Sequence, residues 1–462
     1  MGTARRIVQG LALTLTLGLP GCYVVNPEAD MFGRVNAEID AGSPVPVAEP
    51  YTGGIAADEP NAALVARELL REGGNAADAA AALYFALAVT LPSRAGLGAR
   101  GACLLYDPVT ASVQALEFAA VSTPLPTAAQ GMATLHKAYG RVDWRRIIAP
   151  AERLARFGFP ISRVFAADLA QAATSAATSN EPLREGDPLK QPDLAQTLMQ
   201  LRLHGAKALT TGELGGRLAA AAQELGSAFT VAVLAAFAPR WAVPASTAYG
   251  DLALHSMPAM GPAANVALGM WSILAADPRY GESAPEDRPR LLAEAKAQSF
   301  AQSAADWSAD AAQPDGETSF VVVDRDGLAV TCGFTMGGIF ETRRLARGTG
   351  IVLAQPPAAR SGLTLLLATK LASVDLVFAA TASGGSGAPG AAAGVAVGVL
   401  MMAEPLAESL YRERLGRHGE RESRAGPQGR VNAAFCAEGA SREPEGCVFE
   451  SDPRGFGAAL SG

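Results

Sequence analysis

The stretch Gly73-Gly74-Asn75-Ala76-Ala77-Asp78-Ala79-Ala80-Ala81 lies between two helical patterns and predicts how the first part of the chain is built. Before it, residues 58–60 (Asp-Glu-Pro) supply two acids and a proline, which favour the first turn of a helix. The two glycines end that helix because glycine accepts the left-handed cap conformation. The alanines that follow predict a second helix, whose small side chains let its backbone pack closely against a neighbour. By itself the pattern indicates a helical hairpin without chemistry.

The composition indicates a globular protein rather than a membrane bundle. The chain has 462 residues, enough for one large domain or two moderate ones with an ample core. Hydrophobic residues make up 49% and charged residues 18% of the chain, and much of the apolar share is alanine. The net charge of −7 argues against nucleic acid as a partner.

The N-terminus has the pattern of an export signal. Arg5 and Arg6 precede the apolar run 7–19, and Pro20-Gly21-Cys22 follows it. This ending resembles a bacterial lipoprotein signal, so we expect residues 1–21 to be removed, Cys22 to be lipidated and the protein to be anchored on the periplasmic face of a membrane. An ordinary cleaved signal and an anchor helix are the alternatives. Residues 22–57, rich in Pro, Gly and Ala, predict a tether.

The four remaining cysteines differ in character. Cys436 and Cys447 bracket a short polar loop, which in an exported protein predicts a disulfide. Cys103 and Cys332 lie in strand patterns, and each is predicted to be a small core residue. No metal site and no cofactor are expected, because the four histidines have no metal-ligand spacing: His136, His204, His255 and His418.

The predicted elements run from helices through an antiparallel sheet to helices again. Residues 126–305 are mostly helical in pattern, for example 143–157, where Asp143 caps an apolar stripe. After a polar loop, strands are predicted at 318–324 and 328–335, and the Asp326-Gly327 pair between them is a strong hairpin signal. Further strands are predicted at 112–118, 251–256, 350–354, 363–371 and 374–380. This order fits a four-layer α/β sandwich.

The parts at residues 58–107 resemble the gamma-glutamyltranspeptidase family. Its members have a helix, the motif G-G-N-A-x-D-A-A, a helix ending in A-V-T-x-P, a Gly-rich loop and a strand. Here the later parts are Ala88-Val89-Thr90-Leu91-Pro92, the run at 95–101 and Cys103-Leu104-Leu105-Tyr106-Asp107. The resemblance implies an α/β (α+β) fold, a four-layer αββα sandwich of the N-terminal-nucleophile hydrolase type.

The resemblance also implies self-cleavage ahead of a threonine, whose free amine then serves as base for its own hydroxyl. The matching segment is Gly316-Glu317-Thr318-Ser319-Phe320-Val321-Val322-Val323-Asp324. Without a gap, Glu317 falls on the nucleophile, and Thr318 one place later would face the other side of the strand unless a bulge intervened. Thr318 is still the predicted nucleophile, because it opens a strand after a loop. Ser319 is the second choice, and the alternative that both are ordinary strand residues stays open.

The other family positions are matched unevenly. Thr335 falls where the family has a threonine that supports the nucleophile, and Ser361 matches one of two substrate-binding serines. Gly384 and Gly385 resemble the oxyanion loop, whose backbone N–H groups approach a substrate oxygen. Three positions depart from the family: Ala119 replaces an arginine that grips the substrate carboxylate, Gly337 replaces an asparagine, and Pro356-Pro357-Ala358-Ala359 replaces an N-Q-M-D-type stretch.

The sequence therefore predicts an exported gamma-glutamyltransferase-like amide hydrolase or acyl transferase. Its large and small subunits would be residues 58–317 and 318–462, and its partner a small-molecule γ-glutamyl or other amide substrate. The lipid anchor would be its only membrane contact. Two alternatives stay open: a catalytically inactive lipoprotein that keeps the scaffold for binding, and an acylase of the same superfamily with a different acyl group.

Overall fold

The structure, a computed structural model, describes residues 50–119, 125–174, 183–224, 229–257, 263–284, 287–303, 316–340, 343–353, 361–415 and 429–462. The part of the chain from Pro50 to Gly462 is one compact unit. The predicted signal, Cys22 and residues 22–49 of the predicted tether lie outside the described residues.

The described helices fall into two groups, at residues 60–236 and 263–415. The first group comprises α1 Pro60–Arg71, α2 Ala76–Thr90, α3 Pro92–Ala95, α4 Ala128–Tyr139, α5 Trp144–Phe157, α6 Arg163–Thr174, α7 Pro192–His204, α8 Gly212–Glu224 and α9 Val231–Ala236. The second group comprises α10 Ala263–Ala276, α11 Pro278–Glu282, α12 Arg288–Ser303, α13 Ala388–Met402 and α14 Leu406–Leu415.

The strands form two large antiparallel sheets and two short pairs. The first sheet has the order β17-β1-β9-β10-β2-β3-β6 and the second has the order β16-β15-β14-β13-β8-β7, while β4 pairs with β5 and β11 with β12. The strands are β1 Gly53–Ala57, β2 Arg100–Asp107, β3 Ser112–Glu117, β4 Phe159–Pro160, β5 Pro188–Leu189, β6 Arg240–Ala242, β7 Ala245–Tyr249, β8 Leu252–Ser256, β9 Gly316–Asp324, β10 Ala329–Gly337, β11 Leu345–Ala346, β12 Ile351–Val352, β13 Thr364–Lys370, β14 Leu376–Ser383, β15 Arg430–Phe435, β16 Val448–Ser451 and β17 Ala458–Ser461.

Three apolar clusters separate four layers. One cluster joins the first helix group to the first sheet, and a second joins α10, α12, α13 and α14 to the second sheet. The third lies between the sheets, where Val321 and Val323 of β9 meet Leu365 and Leu367 of β13. The predicted αββα sandwich is therefore confirmed.

The helical hairpin forms as its sequence predicts. The Glu59 carboxylate caps α1 by accepting from the Ala62 N–H at 2.7 Å, and Pro60 occupies the first turn. Asn75 and Asp78 form a reciprocal capping box at the start of α2. Every residue of α2 is buried, because a helix of small and apolar residues, more than half of them alanine, can pack on all of its sides.

The last part of the predicted tether is a core strand instead. All five residues of β1 are buried, and β1 pairs with β9 on one side and β17 on the other. Glycine is required there because a Cβ at Gly54 would lie 2.1 Å from the Phe449 ring. Small residues that read as a linker thus serve close packing, and the tether prediction is wrong for residues 53–57.

The predicted hairpin at residues 318–335 is confirmed as β9 and β10, which pair antiparallel with Val322 opposite Val330. Cys103 of β2 and Cys332 of β10 are direct cross-strand partners, and a disulfide joins them. Both are core residues, as expected, but the disulfide between them was not predicted, because the sequence alone does not show that β2 pairs with β10. A second disulfide joins Cys436 to Cys447.

The Asp324 carboxylate ties the end of β9 to the start of α2. It accepts from the backbone N–H groups of Ala76 at 2.9 Å, Asp326 at 2.9 Å and Leu328 at 3.1 Å. Burial raises the pKa of Asp324 from 3.8 to about 6, against the opposing effect of these donors. The group therefore binds its proton more readily in the folded chain than in the unfolded one.

The contribution of Asp324 to stability should therefore be full below about pH 4 and fall as the pH rises through about 6. We expect the difference in unfolding free energy between the wild type and Asp324→Asn to decline over this interval by up to about 3 kcal/mol. Urea unfolding at several pH values measures it. Asp287→Asn, at an exposed carboxylate, is the control, and a pH-independent difference for Asp324→Asn would contradict the prediction.

Candidate active site

The candidate site lies where β1 stops but β9 continues. Ala57, the last residue of β1, pairs with Phe320, so residues 316–319 of β9 have no strand partner on that side within the described residues. Side chains satisfy the buried, unpaired backbone groups instead: Asp58 accepts from the Ser319 N–H at 3.1 Å, and the Asn432 amide donates to the Ser319 carbonyl at 3.0 Å. The gap in the sheet is thus filled by polar side chains.

The Asp58 carboxylate is the centre of this polar cluster and is almost fully buried. One oxygen, Oδ2, accepts from the Thr318 hydroxyl at 3.0 Å and the Ser383 hydroxyl at 3.2 Å, besides the Ser319 N–H. The other, Oδ1, accepts from the Asn432 amide at 2.7 Å. Asp58 therefore connects β9 of the first sheet to β14 and β15 of the second.

Two buried guanidinium groups converge on the carbonyl oxygen of Glu317. Arg430 Nη2 donates to it at 3.3 Å, and Arg94 Nη1 lies at 3.5 Å. Arg94 is fixed by a bidentate contact with Asp168, at 2.8 and 2.6 Å. Two guanidinium cations therefore lie at the carbonyl oxygen of the Glu317–Thr318 peptide bond. The Asp58 carboxylate accepts a hydrogen bond from the hydroxyl of Thr318, the residue that follows this bond.

The Glu317 side chain occupies a cage of four hydrogen-bond donors. Its Oε1 accepts from the Ser361 hydroxyl at 2.8 Å and the Gly362 N–H at 2.9 Å. Its Oε2 accepts from the N–H groups of Gly384 at 3.2 Å and Gly385 at 3.0 Å. We call this set of donors the carboxylate cage.

Glycine is needed for the shape of the cage. Gly384 and Gly385 have φ values of 112° and 69°, which lie in the left-handed region. At Gly362 a Cβ would lie 1.8 Å from the Gly385 carbonyl oxygen, so the two loops can touch only without side chains. The backbone N–H groups are thereby turned toward one point between the sheets.

Strand alternation decides which residue faces the cage. Val321 and Val323 point between the sheets, whereas Phe320 and Val322 pack on the helices, so Glu317 faces the other sheet and Thr318 the helix side. The pairing with β10 runs without a shift from Val323 to Glu317. No bulge corrects the register in this segment. In the intact chain Thr318 therefore lies away from the cage, contrary to the predicted arrangement.

The remaining predicted residues are placed as follows. Thr335 lies opposite Glu317 in the register and accepts from the Gly337 N–H at 2.9 Å, while Phe334 lies opposite Thr318. Ser361, Gly384 and Gly385 do come together, but around the Glu317 carboxylate. Ala119 offers no charged group, and residues 356–359 lie outside the described residues.

The sequence interpretation missed the polar cluster. It used Asp58 only as a helix-start residue and did not include Arg430, whose side chain is buried against Glu317 and Ser383. A signal existed for Asp58, which directly follows the small-residue run of β1. A signal also existed for Arg94, a charged residue in the short, mostly small and apolar segment that follows α2.

Two facing antiparallel sheets between helical layers, with the glycine loop at the end of β14, define the N-terminal-nucleophile hydrolase fold. Cephalosporin acylase from Bacillus halodurans shares this fold with a TM-score of 0.71 and 19% identity, covering 91% of this chain and 98% of that one. The sequence model described as Gamma-glutamyltranspeptidase matches residues 62–124 and 119–312, more than half of the chain. The chain belongs to the gamma-glutamyltranspeptidase family.

Individual relatives agree with this family. Glutathione hydrolase 5 proenzyme of Rattus norvegicus is 30% identical over 239 residues, covering 44% of this chain and 42% of that protein. Glutathione hydrolase proenzyme of Pseudomonas aeruginosa is 26% identical over 371 residues, covering 65% and 67%. The chain spans about two fifths of the length of the first relatives it matches: 42%, 37% and 41%.

The Asp58 cluster yields a stability prediction. In Asp58→Asn an amide N–H₂ replaces an oxygen that accepts from buried donors, so we expect a loss of about 2–4 kcal/mol in unfolding free energy. The urea unfolding midpoint measures it. Asp326→Asn, which removes an exposed ion pair with Arg141, should cost less than about 1 kcal/mol. Equal effects of the two variants would contradict a central role for Asp58.

Proposed function

We propose that this chain is an amide hydrolase or acyl transferase that cleaves its own Glu317–Thr318 bond and uses Thr318 as nucleophile. One observation carries the proposal: the hydroxyl next to this bond is 3.0 Å from the Asp58 carboxylate, and two guanidinium groups lie at the carbonyl oxygen. Acyl transfer requires a base beside the attacking hydroxyl and positive charge beside the carbonyl oxygen, which becomes negative in the reaction.

Self-cleavage follows from these contacts. The Thr318 Oγ attacks the Glu317 carbonyl carbon as its proton passes to Asp58, and the negative oxygen that forms faces Arg430 and Arg94. The C–N bond then breaks, and the amine nitrogen receives the proton. The ester left between Glu317 and the Thr318 Oγ is hydrolysed by water. The products are a chain that ends at Glu317 and a chain that begins at Thr318.

Cleavage would also allow the Thr318 hydroxyl, which faces the helix side in the intact chain, to reach the carboxylate cage. A terminal residue is no longer held by a peptide bond on its N-side, so Thr318 can rotate about its Cα–C bond. The departure of Glu317 leaves space between the sheets for the Thr318 hydroxyl to turn toward Gly384 and Gly385. The free amine then acts as base, and the glycine N–H groups stabilise the oxyanion of an amide substrate.

The substrate class follows from the missing charge at Ala119. Without a guanidinium there, the α-carboxylate of a γ-glutamyl group loses charged hydrogen bonds of about 1.5–3 kcal/mol each. We therefore propose an amide with a different acyl group as substrate, hydrolysed or transferred on the outer side of a membrane. Processing to large and small subunits would precede activity.

The second candidate is a catalytically inactive lipoprotein that keeps the family scaffold for binding. Glu317 at the nucleophile position, with its carboxylate inside the cage, favours it. In that case the chain stays intact and hydrolyses no amide. The two candidates differ in one measurable event, the cleavage of a single bond.

The cleavage prediction is that the purified protein shows two bands on a reducing gel, the smaller beginning at Thr318 and containing 145 residues. Reduction is needed because Cys103 and Cys332 lie on opposite sides of the bond. Thr318→Val, which lacks the hydroxyl, should stay a single chain. N-terminal sequencing of the small chain identifies the bond.

Thr331→Val is the matched control, because Thr331 is also a buried threonine of the first sheet and its hydroxyl donates to the Leu104 carbonyl, at 3.5 Å. It should be cleaved like the wild type. If the wild-type chain remains intact and hydrolyses no amide, the catalytically inactive lipoprotein becomes the better supported of the two candidates. Cleavage at another bond would assign the nucleophile elsewhere.

The export prediction concerns Cys22. We propose that a lipid on this residue anchors the mature chain, because the N-terminal pattern has a basic start, a short apolar run and Gly21-Cys22. Labelled fatty acid should enter the wild type, and Cys22→Ala should lose the label. Cys436→Ala, at another exported cysteine, should keep it. A Cys22→Ala protein that is still labelled would refute the anchor.

A further inference from the structure

The carboxylate cage is a complete binding site for a small anion. Its four donors come from two loops, and each Glu317 oxygen receives two of them, at distances between 2.8 and 3.2 Å. Glu317 is 3% exposed, so water does not compete for these contacts. Such donors match both oxygens of a carboxylate, where a single carbonyl oxygen could use only part of them.

The glycine backbone makes the cage independent of Glu317. The positive φ values of Gly384 and Gly385 and the close approach of Gly362 to Gly385 set the direction of the N–H groups. None of these features needs the glutamate side chain. The cage is therefore a preformed site that Glu317 fills.

We propose that the cage binds carboxylate ligands and that Glu317 is its built-in occupant, which keeps the intact chain closed to them. Removal of the Glu317 side chain opens the cage to free monocarboxylates such as acetate. The proposal that Glu317 blocks ligand binding until the chain is cut rests on the proposed function, since cleavage would release Glu317. Carboxylate binding by the cage does not depend on cleavage.

The test uses the full chain with Thr318→Val, so that it stays intact in either case. Glu317→Ala is added, and thermal unfolding is followed in sodium acetate and in sodium chloride at equal ionic strength. We expect Glu317→Ala to lower the unfolding midpoint, and acetate to raise it again by about 1–3 °C in a saturable way. Chloride should not reproduce this rise.

Two comparisons assign the effect to the cage. The parent chain and Glu213→Ala, at an exposed carboxylate, should respond no more to acetate than to chloride. Adding Ser361→Ala to the Glu317→Ala chain should weaken acetate binding about tenfold, because one hydrogen bond to a charged group is lost. An equal acetate effect in the parent chain, or none in the Glu317→Ala chain, would overturn the proposal.

If Glu317→Ala does not fold in chloride, the measurement becomes the refolded yield after dilution from urea into acetate or chloride. A higher yield in acetate supports the cage, and equal yields overturn it. Because every chain here carries Thr318→Val, failure of this test leaves the cleavage result of the wild type unaffected. Failure of the wild type to cleave likewise leaves carboxylate binding by the cage standing.

Discussion

The rest of the site depends on the hydrogen bonds that the buried Asp58 carboxylate accepts. The strand before it ends one residue earlier, so the next stretch of β9 would otherwise leave backbone groups unpaired inside the protein. Asp58 and Asn432 satisfy these groups and also hold the two sheets together at this end. The shortness of one strand thus creates a polar centre between the two sheets.

The alternation of β9 gives the site two sides with different chemistry. Glu317 faces the second sheet in its ring of donors, and Thr318, whose hydroxyl donates to Asp58, faces the helix side. The resemblance to the family pattern implies a threonine at the position of Glu317, and a threonine there would face the glycine loop directly. Here the same loop is occupied by an acid, and the hydroxyl comes one residue later on the opposite face. At the nucleophile, the departure of this chain from the family pattern is therefore one step of strand register.

Features encoded by neighbouring residues could be predicted from the sequence. The caps of α1 and α2, the Asp-Gly hairpin and the glycine loop all depend on residues close together in the chain. The partners of Asp58 are 260, 325 and 374 residues away, so local patterns do not contain them. The Cys103–Cys332 bond likewise required knowledge that β2 lies beside β10. The strand at residues 53–57 was missed because glycine and alanine suit both a linker and tight packing.

The Cys103–Cys332 disulfide joins residues 229 positions apart and spans the Glu317–Thr318 bond. In an intact chain it closes a covalent ring, whereas in a cut chain it is the only covalent connection between the two pieces within the described fold. Unfolding of a cut protein in which this disulfide is intact would remain unimolecular. Reduction would turn it into a dissociation, and its midpoint would then depend on protein concentration. The redox state of the surroundings would thus set the molecularity of unfolding.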